Sequence, residues 1–462
     1  MSLFKLLKRP VTILVLCVCV LLAAASALYA IAECRQTRLE RELRLMTGAK
    51  TRVVWCQQVA GTKYDVEGSQ LRLMGLDTAE RGGPRPLLDR VGSYWKPKIS
   101  PKGDRVVFTD FQKATVYAVN WNGSSLRELS RGYALNVWMD PATAQEWVYA
   151  VAEASGQQGG YAGKPVFRFL LDNPARRETA WDATLVTFDN LRVSRNGMKM
   201  GGLFPWPQGG VADMETGTWR EYGRGCWADL SPDNSYISWV FDGEHRNLLL
   251  SSADGQTRWK VQLDDAPGLD GGEVDHPRWS NHIRFMTMKG PHRRGDQVRG
   301  DSDEIYVGRF DDGLARVEQW VRITSNEVVD SCPDAWIEPT IEMGWTPTTV
   351  RQRGTGERLS VRARLLETTM TPTLESIAPY RQALVVYSYE VDNIVTGAYR
   401  HARLLVAHWG LVGGHVRPIP RMRGECYQMT VAPLDDIPEL EGERVIMDMK
   451  AENLPIYYEI NQ

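Results

Sequence analysis

The sequence predicts an all-β chain in which a six-bladed β-propeller is followed by a smaller β domain, behind an N-terminal apolar helix. Three observations predict it. A strand–turn–strand unit rich in β-branched and aromatic residues recurs along the first two thirds of the chain. The composition is turn-rich and aromatic, with 41 Gly and 16 Trp. A second set of β-type runs follows residue 358.

The clearest unit is Trp95–Ser130. Lys98-Ile99 ends an approach strand, and Ser100-Pro101-Lys102-Gly103 makes a tight turn. Pro pre-sets φ at the second turn position and Gly supplies φ > 0 at the fourth. Arg105–Thr109 is a β-branched and aromatic strand, Val116–Trp121 alternates sides, Asn122-Gly123 is a hairpin turn, and Leu126–Leu129 closes the unit. One four-stranded sheet cannot bury both faces, so the unit needs similar neighbours.

Degraded copies supply them. Trp227–Asn234 with Tyr236–Phe241 and Asn247–Ser251, Leu191–Gly197, His276–Asn281 with Ile305–Phe310, and Val137–Pro141 repeat parts of the pattern. The turn markers Ser100, Asp140, Ser194, Ser231 and Ser280 lie roughly 40, 54, 37 and 49 residues apart, near the propeller period of about 40–50. Six blades are expected, starting near Trp55, Trp95, Tyr133, Leu185, Gly225 and Val274. Blade 1 lacks an approach strand of its own, and Asp334–Ile337 is an approach strand with no blade after it. The second should complete the first and close the ring, leaving only short protected edges. The signature of apolar strand, Ser-Pro-Asp-Gly-type turn and short apolar strand, strongest at Lys98–Phe108 and Asp229–Trp239, resembles the TolB-like family of bacterial propellers. The resemblance covers about residues 52–338. It implies a fold and an envelope setting, and no activity.

At the N-terminus, Lys5, Lys8 and Arg9 precede an uncharged run from Val11 to Ala32. That is about 22 residues, enough to span a bilayer core. Residues 1–32 are read as a membrane anchor or signal segment, with the uncleaved anchor preferred although Ala25-Ser26-Ala27 offers a cleavage site. The expected location is a bacterial inner membrane, crossed once, with the bulk of the chain in the periplasm or outside. Residues 33–50 read as a charged helical stalk, whose Glu and Arg spacing suits solvated i,i+3 and i,i+4 pairs.

Residues 51–338 form the propeller region and 339–357 a linker of Thr, Pro, Gly and Arg. Residues 358–462 form the small β domain, a sandwich or an OB-like barrel. The barrel is suggested by Val391–Gly397 and Arg403–Val406, which resemble the strand–turn–strand of small OB-like and netrin-like barrels. Charged residues make up 24% and hydrophobic residues 43%, as in ordinary globular chains. A net charge of −2 argues against a nucleic-acid footprint. Cys56, Cys226, Cys332 and Cys426 show no C-x-x-C spacing, which disfavours zinc. Buried free thiols are expected, and a disulfide near the ring centre is the alternative.

Chemistry is sparse in the sequence. No G-x-S-x-G elbow and no H-E-x-x-H occurs. Gly159–Pro165 imitates a phosphate loop with wrong spacing, and reads as an inter-strand loop. Four of the seven His, at 245, 276, 282 and 292, fall close together. Asp275, His276 and His282 are therefore the one candidate metal set, weighed against ordinary strand packing and a surface turn. The charged loops Asp264–Asp275 and Arg293–Glu304 read as solvated rim. No catalytic residue and no cofactor is expected. The leading reading is a non-catalytic envelope protein that uses propeller and C-terminal module as a binding or scaffolding surface. Its partners would be the membrane through residues 11–32 and an envelope protein or polysaccharide. The alternative is a lyase or hydrolase acting on acidic polysaccharide at the axial mouth.

Overall fold

Six four-stranded antiparallel sheets follow one another along the chain and then a closed barrel. They are seen in a computed structural model that describes residues 38–62, 70–157, 160–269, 271–292, 303–339, 358–378, 380–449 and 454–460. The apolar run 11–32, Cys17, Cys19, Cys34 and residues 340–357 of the linker lie outside the described residues. Among the described residues no helix is long and apolar enough to cross a membrane.

The inner strand of each blade is the approach strand: Tyr94–Ile99, Tyr133–Met139, Leu191–Val193, Cys226–Leu230 and Glu273–Trp279 in blades 2 to 6. Blade 1 takes its inner strand from the far end of the propeller. Asp330–Ile337 pairs with Thr51–Gln58, in the register Thr51 with Ile337 and Gln57 with Asp330. The Trp55 indole donates to the Asp330 carboxylate at 2.8 Å, tying residues 275 positions apart. Each inner strand packs on the next, and Asp330–Ile337 packs on both Glu273–Trp279 and Tyr94–Ile99. The ring is thus closed by the orphan strand, as its lack of a blade suggested.

Packing between blades is aromatic. Trp239 of blade 5 stacks on Trp279 of blade 6 with centroids 3.8 Å apart, and both are fully buried. The turn at Ser100 forms as read: Gly103 has φ +80° and donates to the Ser100 carbonyl at 2.7 Å. A side chain there would also strike the Trp336 ring from the closing strand.

Two expectations need correction. Blade 4 begins at Leu191 rather than Leu185, because Val186-Thr187 belongs to an insertion. Gly160–Gly163 is the middle strand of that insertion, between Ser155–Gln157 and Val186-Thr187, so the inter-strand loop reading of Gly159–Pro165 fails. The glycines there serve a short sheet rather than a flexible link.

The stalk reading fails as well. A helix at 38–47 lays Leu43 and Met46 into a cluster with Val53, Trp55, Phe285 and Val307, and Leu39 packs alongside. Arg309 donates to the Met46 carbonyl at 3.2 Å, and Gly83 N–H donates to Glu40 at 2.9 Å. Only the face carrying Arg38, Arg41, Glu42 and Arg44 is solvated. Burying an apolar side chain of this size stabilises by about 1.5–3 kcal/mol. Removal of residues 1–47 should therefore lower the unfolding free energy by about 3–6 kcal/mol relative to removal of residues 1–37, for the two side chains Leu43 and Met46. Paired urea titrations of the two truncated chains measure it. Equal midpoints would restore the stalk reading.

In the C-terminal domain, Leu359–Thr368, Ala383–Thr396, Arg403–Val412, Cys426–Pro433 and Ile456–Glu459 close on themselves. Numbered in chain order, they pair as first, second, third, fifth, fourth and back to first, with third and fifth parallel. The domain is a five-stranded barrel, and the sandwich alternative fails. Its interior holds His408, whose Nε2 lies 2.9 Å from the Tyr389 hydroxyl, and Arg421, which grips Glu459 at 2.6 and 2.8 Å. Burial, then Arg421, pushes the His408 pKa down to about 3.

The barrel sits on the turns of blades 4 to 6. Val445 N–H donates to the Gly243 carbonyl at 3.0 Å. The fully buried Arg444 bonds both that carbonyl and Glu273. Arg258 pairs with Glu441, and Trp206 meets Tyr380 edge-on at 5.3 Å.

Candidate binding site at the axial mouth

The inner strands share a local device that decides what faces the axis. Lys96, Trp227, His276 and Cys332 all have φ between +44° and +52°, a conformation uncommon outside glycine. Each sits at a register shift in its strand. Such a bulge twists the strand and re-aims the side chains beyond it. Two residues on from each stands a charge: Lys98, Asp229, Arg278 and Asp334. Blade 4, without the bulge, contributes Arg192.

These side chains bond across blades that are not neighbours, so they meet at the axis. Arg278 of blade 6 donates to Asn190, just ahead of blade 4, at 3.2 Å, and Asn190 donates to the Pro277 carbonyl at 2.9 Å. Arg192 pairs with Asp229 at 2.9 Å and reaches the Trp279 carbonyl. Arg278 pairs with Asp334 at 2.8 Å. Asp334 also accepts Ile99 N–H at 2.8 Å, and Asp229 accepts Leu230 and Trp279 N–H at 2.9 and 3.0 Å. Both carboxylates are thereby committed. All five charged residues are buried.

Lys98 is the exception to pairing. Its ammonium donates to the carbonyls of Lys96 and Ala134 at 2.9 and 3.4 Å, and it has no salt bridge to a described carboxylate. Burial, then the neighbouring Arg278 and Lys96, pushes its pKa well down.

Above this layer the ends of the inner strands open into a pit of about 140 Å³. Lys98, Arg192, Arg278 and Asp334 form its depths, and Asn136, Trp138, Trp336 and the exposed Arg195 stand around them. The indole N–H groups of Trp138 and Trp336 are tied to the Ser194 and Pro101 carbonyls, each at 2.9 Å. The opposite end of the axis is filled. There Lys96 pairs with Asp189 at 3.5 Å, between the rings of Trp95 and Trp227 at 4.4 and 4.5 Å.

The candidate metal set does not assemble. His276 Nδ1 accepts Cys332 N–H at 2.9 Å, its ring lies 4.4 Å from Trp227, and Asp275 is 3.6 Å from Nε2. It belongs to the filled end. His282 lies in the turn beyond the strand, where its Nδ1 accepts Arg284 N–H at 3.1 Å and its ring packs on Phe285. Burial, then Arg284, pushes its pKa down to about 4. His292 has its backbone in a strand, and its side chain lies outside what is described. Among the described residues no group of three or more His, Cys, Asp or Glu could hold a metal. Cys56, Cys226, Cys332 and Cys426 are free thiols, the first three buried.

The axial charges escaped the sequence reading, which took the approach strands to offer mainly apolar and aromatic side chains. A signal was present. Lys98, Arg192, Asp229 and Arg278 each stand two residues before the turn serine of their blade, at Ser100, Ser194, Ser231 and Ser280.

No known protein family matches the chain by sequence, and no curated protein does. Solved structures resemble parts of it. TolB from Acinetobacter baumannii is 11% identical, with a TM-score of 0.43 over 66% of this chain and 72% of that one. A protein of unknown function from Bacteroides caccae is 10% identical, with a TM-score of 0.38 over 63% of this chain and 100% of its own. An oligogalacturonate lyase in complex with manganese is 16% identical, with a TM-score of 0.25 over 48% of this chain and 51% of its own. The likeness to TolB-like propellers is one of fold.

Proposed function

We propose that this chain is a binding protein of a bacterial envelope, held in the membrane by residues 11–32, with propeller and barrel together forming a non-catalytic recognition and scaffolding surface. The observation that carries the reading is the pit at the axial mouth. It gathers side chains from across the ring, and its one lining carboxylate, Asp334, is already held by Arg278 and a backbone N–H. Its lining includes no Ser, Thr, Cys or His among the described residues, so no hydroxyl or thiol stands beside an imidazole base there. Fixed charges in a preformed concavity suit recognition. The lyase or hydrolase alternative needed His276, His282 and a carboxylate to converge at the axis, and that geometry is not formed.

The test is recovery of the full chain from its own membranes. It should stay in the pellet through an alkaline carbonate wash, enter detergent, and bring a protein partner with it. Removal of residues 1–37 should move the chain to the supernatant. Release by carbonate alone would overturn the anchor. Turnover of an acidic polysaccharide by the purified chain would overturn the non-catalytic reading.

A further inference from the structure

We propose that the axial mouth seats an acidic peptide segment of a protein partner, one carboxylate of which enters the pit against Lys98 and Arg278 while Arg195 holds a second at the rim. The inference rests on the binding-protein reading and adds the chemistry of the partner.

Charge points to an anion. Four cations, Lys98, Arg192, Arg195 and Arg278, stand around the pit; Asp233, whose carbonyl accepts Arg195 N–H at 3.2 Å, lies beside the rim, and the carboxylates ion-paired to the deeper cations are Asp229 and Asp334. Both carboxylates are consumed by guanidinium groups and backbone N–H groups. Lys98 is left with carbonyl partners, and Arg195, on the rim, has no ion pair among the described residues. A cation set in low dielectric without a counter-charge is costly, and an incoming carboxylate relieves that cost.

Shape points to a peptide rather than a sugar chain. The axis is blocked beneath the pit by the Lys96–Asp189 pair between two indoles, so nothing threads through. A volume of about 140 Å³ is close to that of a ~150 Å³ protein cavity that takes up one benzene, room for one side chain or chain end. Trp138 and Trp336 are buried and held by their N–H groups, so neither ring lies open as a stacking platform. Burial first, then Arg278 and Lys96, holds the Lys98 pKa down; an arriving carboxylate offsets the two positive neighbours, so binding should be accompanied by proton uptake. The groups facing Lys98 are Arg278, Lys96, Asp334 and Cys332, and of these only Asp334 is a carboxylate.

The experiment uses the detergent-solubilised full chain and three probes: a capped Gly-Ser octapeptide carrying two Glu, the same peptide with Gln in their place, and tetragalacturonate. The Glu peptide should bind with an affinity that falls as salt rises, and the Gln peptide at least about tenfold more weakly. R195E, at an exposed position where folding is not at stake, should weaken the Glu peptide about tenfold or more. Calorimetry in two buffers of different ionisation enthalpy should show proton uptake that K98M abolishes. Equal binding of the Glu and Gln peptides overturns the charge argument. Binding of tetragalacturonate in place of the Glu peptide overturns the choice of partner. If a partner co-purifies from membranes equally well with R195E, this inference fails while the binding-protein reading stands. If none co-purifies, the binding-protein reading fails first.

Discussion

A chain ending at Glu327 should show no cooperative thermal transition, whereas one ending at Pro339 should keep it. The two differ by the strand Asp330–Ile337 and its flanks. That strand contributes the buried side chains Cys332, Ala335, Trp336 and Ile337 and the carboxylates Asp330 and Asp334. Its loss strips one edge from Thr51–Gln58, leaves the Trp55 indole N–H without Asp330, and leaves Arg278 without Asp334. Each large apolar side chain accounts for about 1.5–3 kcal/mol, and breaking a buried ion pair adds about 3–5 kcal/mol. Together these match the whole stability of an ordinary domain, about 5–15 kcal/mol. Circular dichroism and calorimetry on both chains decide the matter. A transition in the shorter chain equal to that of the longer one would mean that the ring does not depend on its closing strand.

Gly243→Ala should separate the barrel from the propeller. A Cβ at Gly243 would fall onto the backbone carbonyl of Glu443, and backbone cannot move aside as a flexible side chain can. The Gly243 carbonyl is also the acceptor for Val445 N–H and for Arg444. Displacing the barrel leaves the Arg444–Glu273 pair broken, for a total loss of about 3–5 kcal/mol. Limited proteolysis should then release the barrel through cleavage between residues 339 and 358, with the propeller intact. Release of the barrel should be easier above neutral pH. Burial, then Glu244, raises the Asp242 pKa to about 7 beside this seam. The folded form therefore holds its proton more tightly than the unfolded form. That stabilisation is complete below about pH 4 and disappears as pH rises through 7. Identical proteolysis of the variant and the parent chain would show that the seam tolerates the methyl group.

The ring was legible because its markers are local. Ser100-Pro101-Lys102-Gly103 specifies a turn by φ preference alone, and Gly103 adopts the positive φ that the turn requires. The closing strand was legible by subtraction, since Asp334–Ile337 had no blade to serve. The pit was not. In a strand read by alternation, Lys98 beside Ile99 looks like an outward polar residue. Only the bulge after Lys96 and the bonds across the ring turn it inward. The N-terminal helix failed for a related reason: its Glu and Arg pairs are conspicuous, and the stripe of Leu39, Leu43 and Met46 is only three residues long. In the C-terminal domain the strands were evident and a barrel was one of two readings, but the choice between barrel and sandwich was not, because the parallel pairing of Arg403–Val412 with Ile456–Glu459 joins segments far apart in sequence.

Ring closure by the last propeller strand also constrains when the protein can become itself. Thr51–Gln58 is made first, yet its inner neighbour is not made until some 270 residues later. At about 5–20 residues per second, the first blade waits many seconds with one edge open. Contacts of such high sequence separation fold slowly, since the loop must close before the pairing rewards it. The five intervening blades can form by local hairpins in the meantime, while the buried Trp55 and the partners of Leu43 and Met46 stay incomplete. Newly made chain therefore passes through a stage in which hairpins have formed but blade 1 keeps an open edge and the ring has no cooperative stability, and that stage ends only once Ile337 has been added.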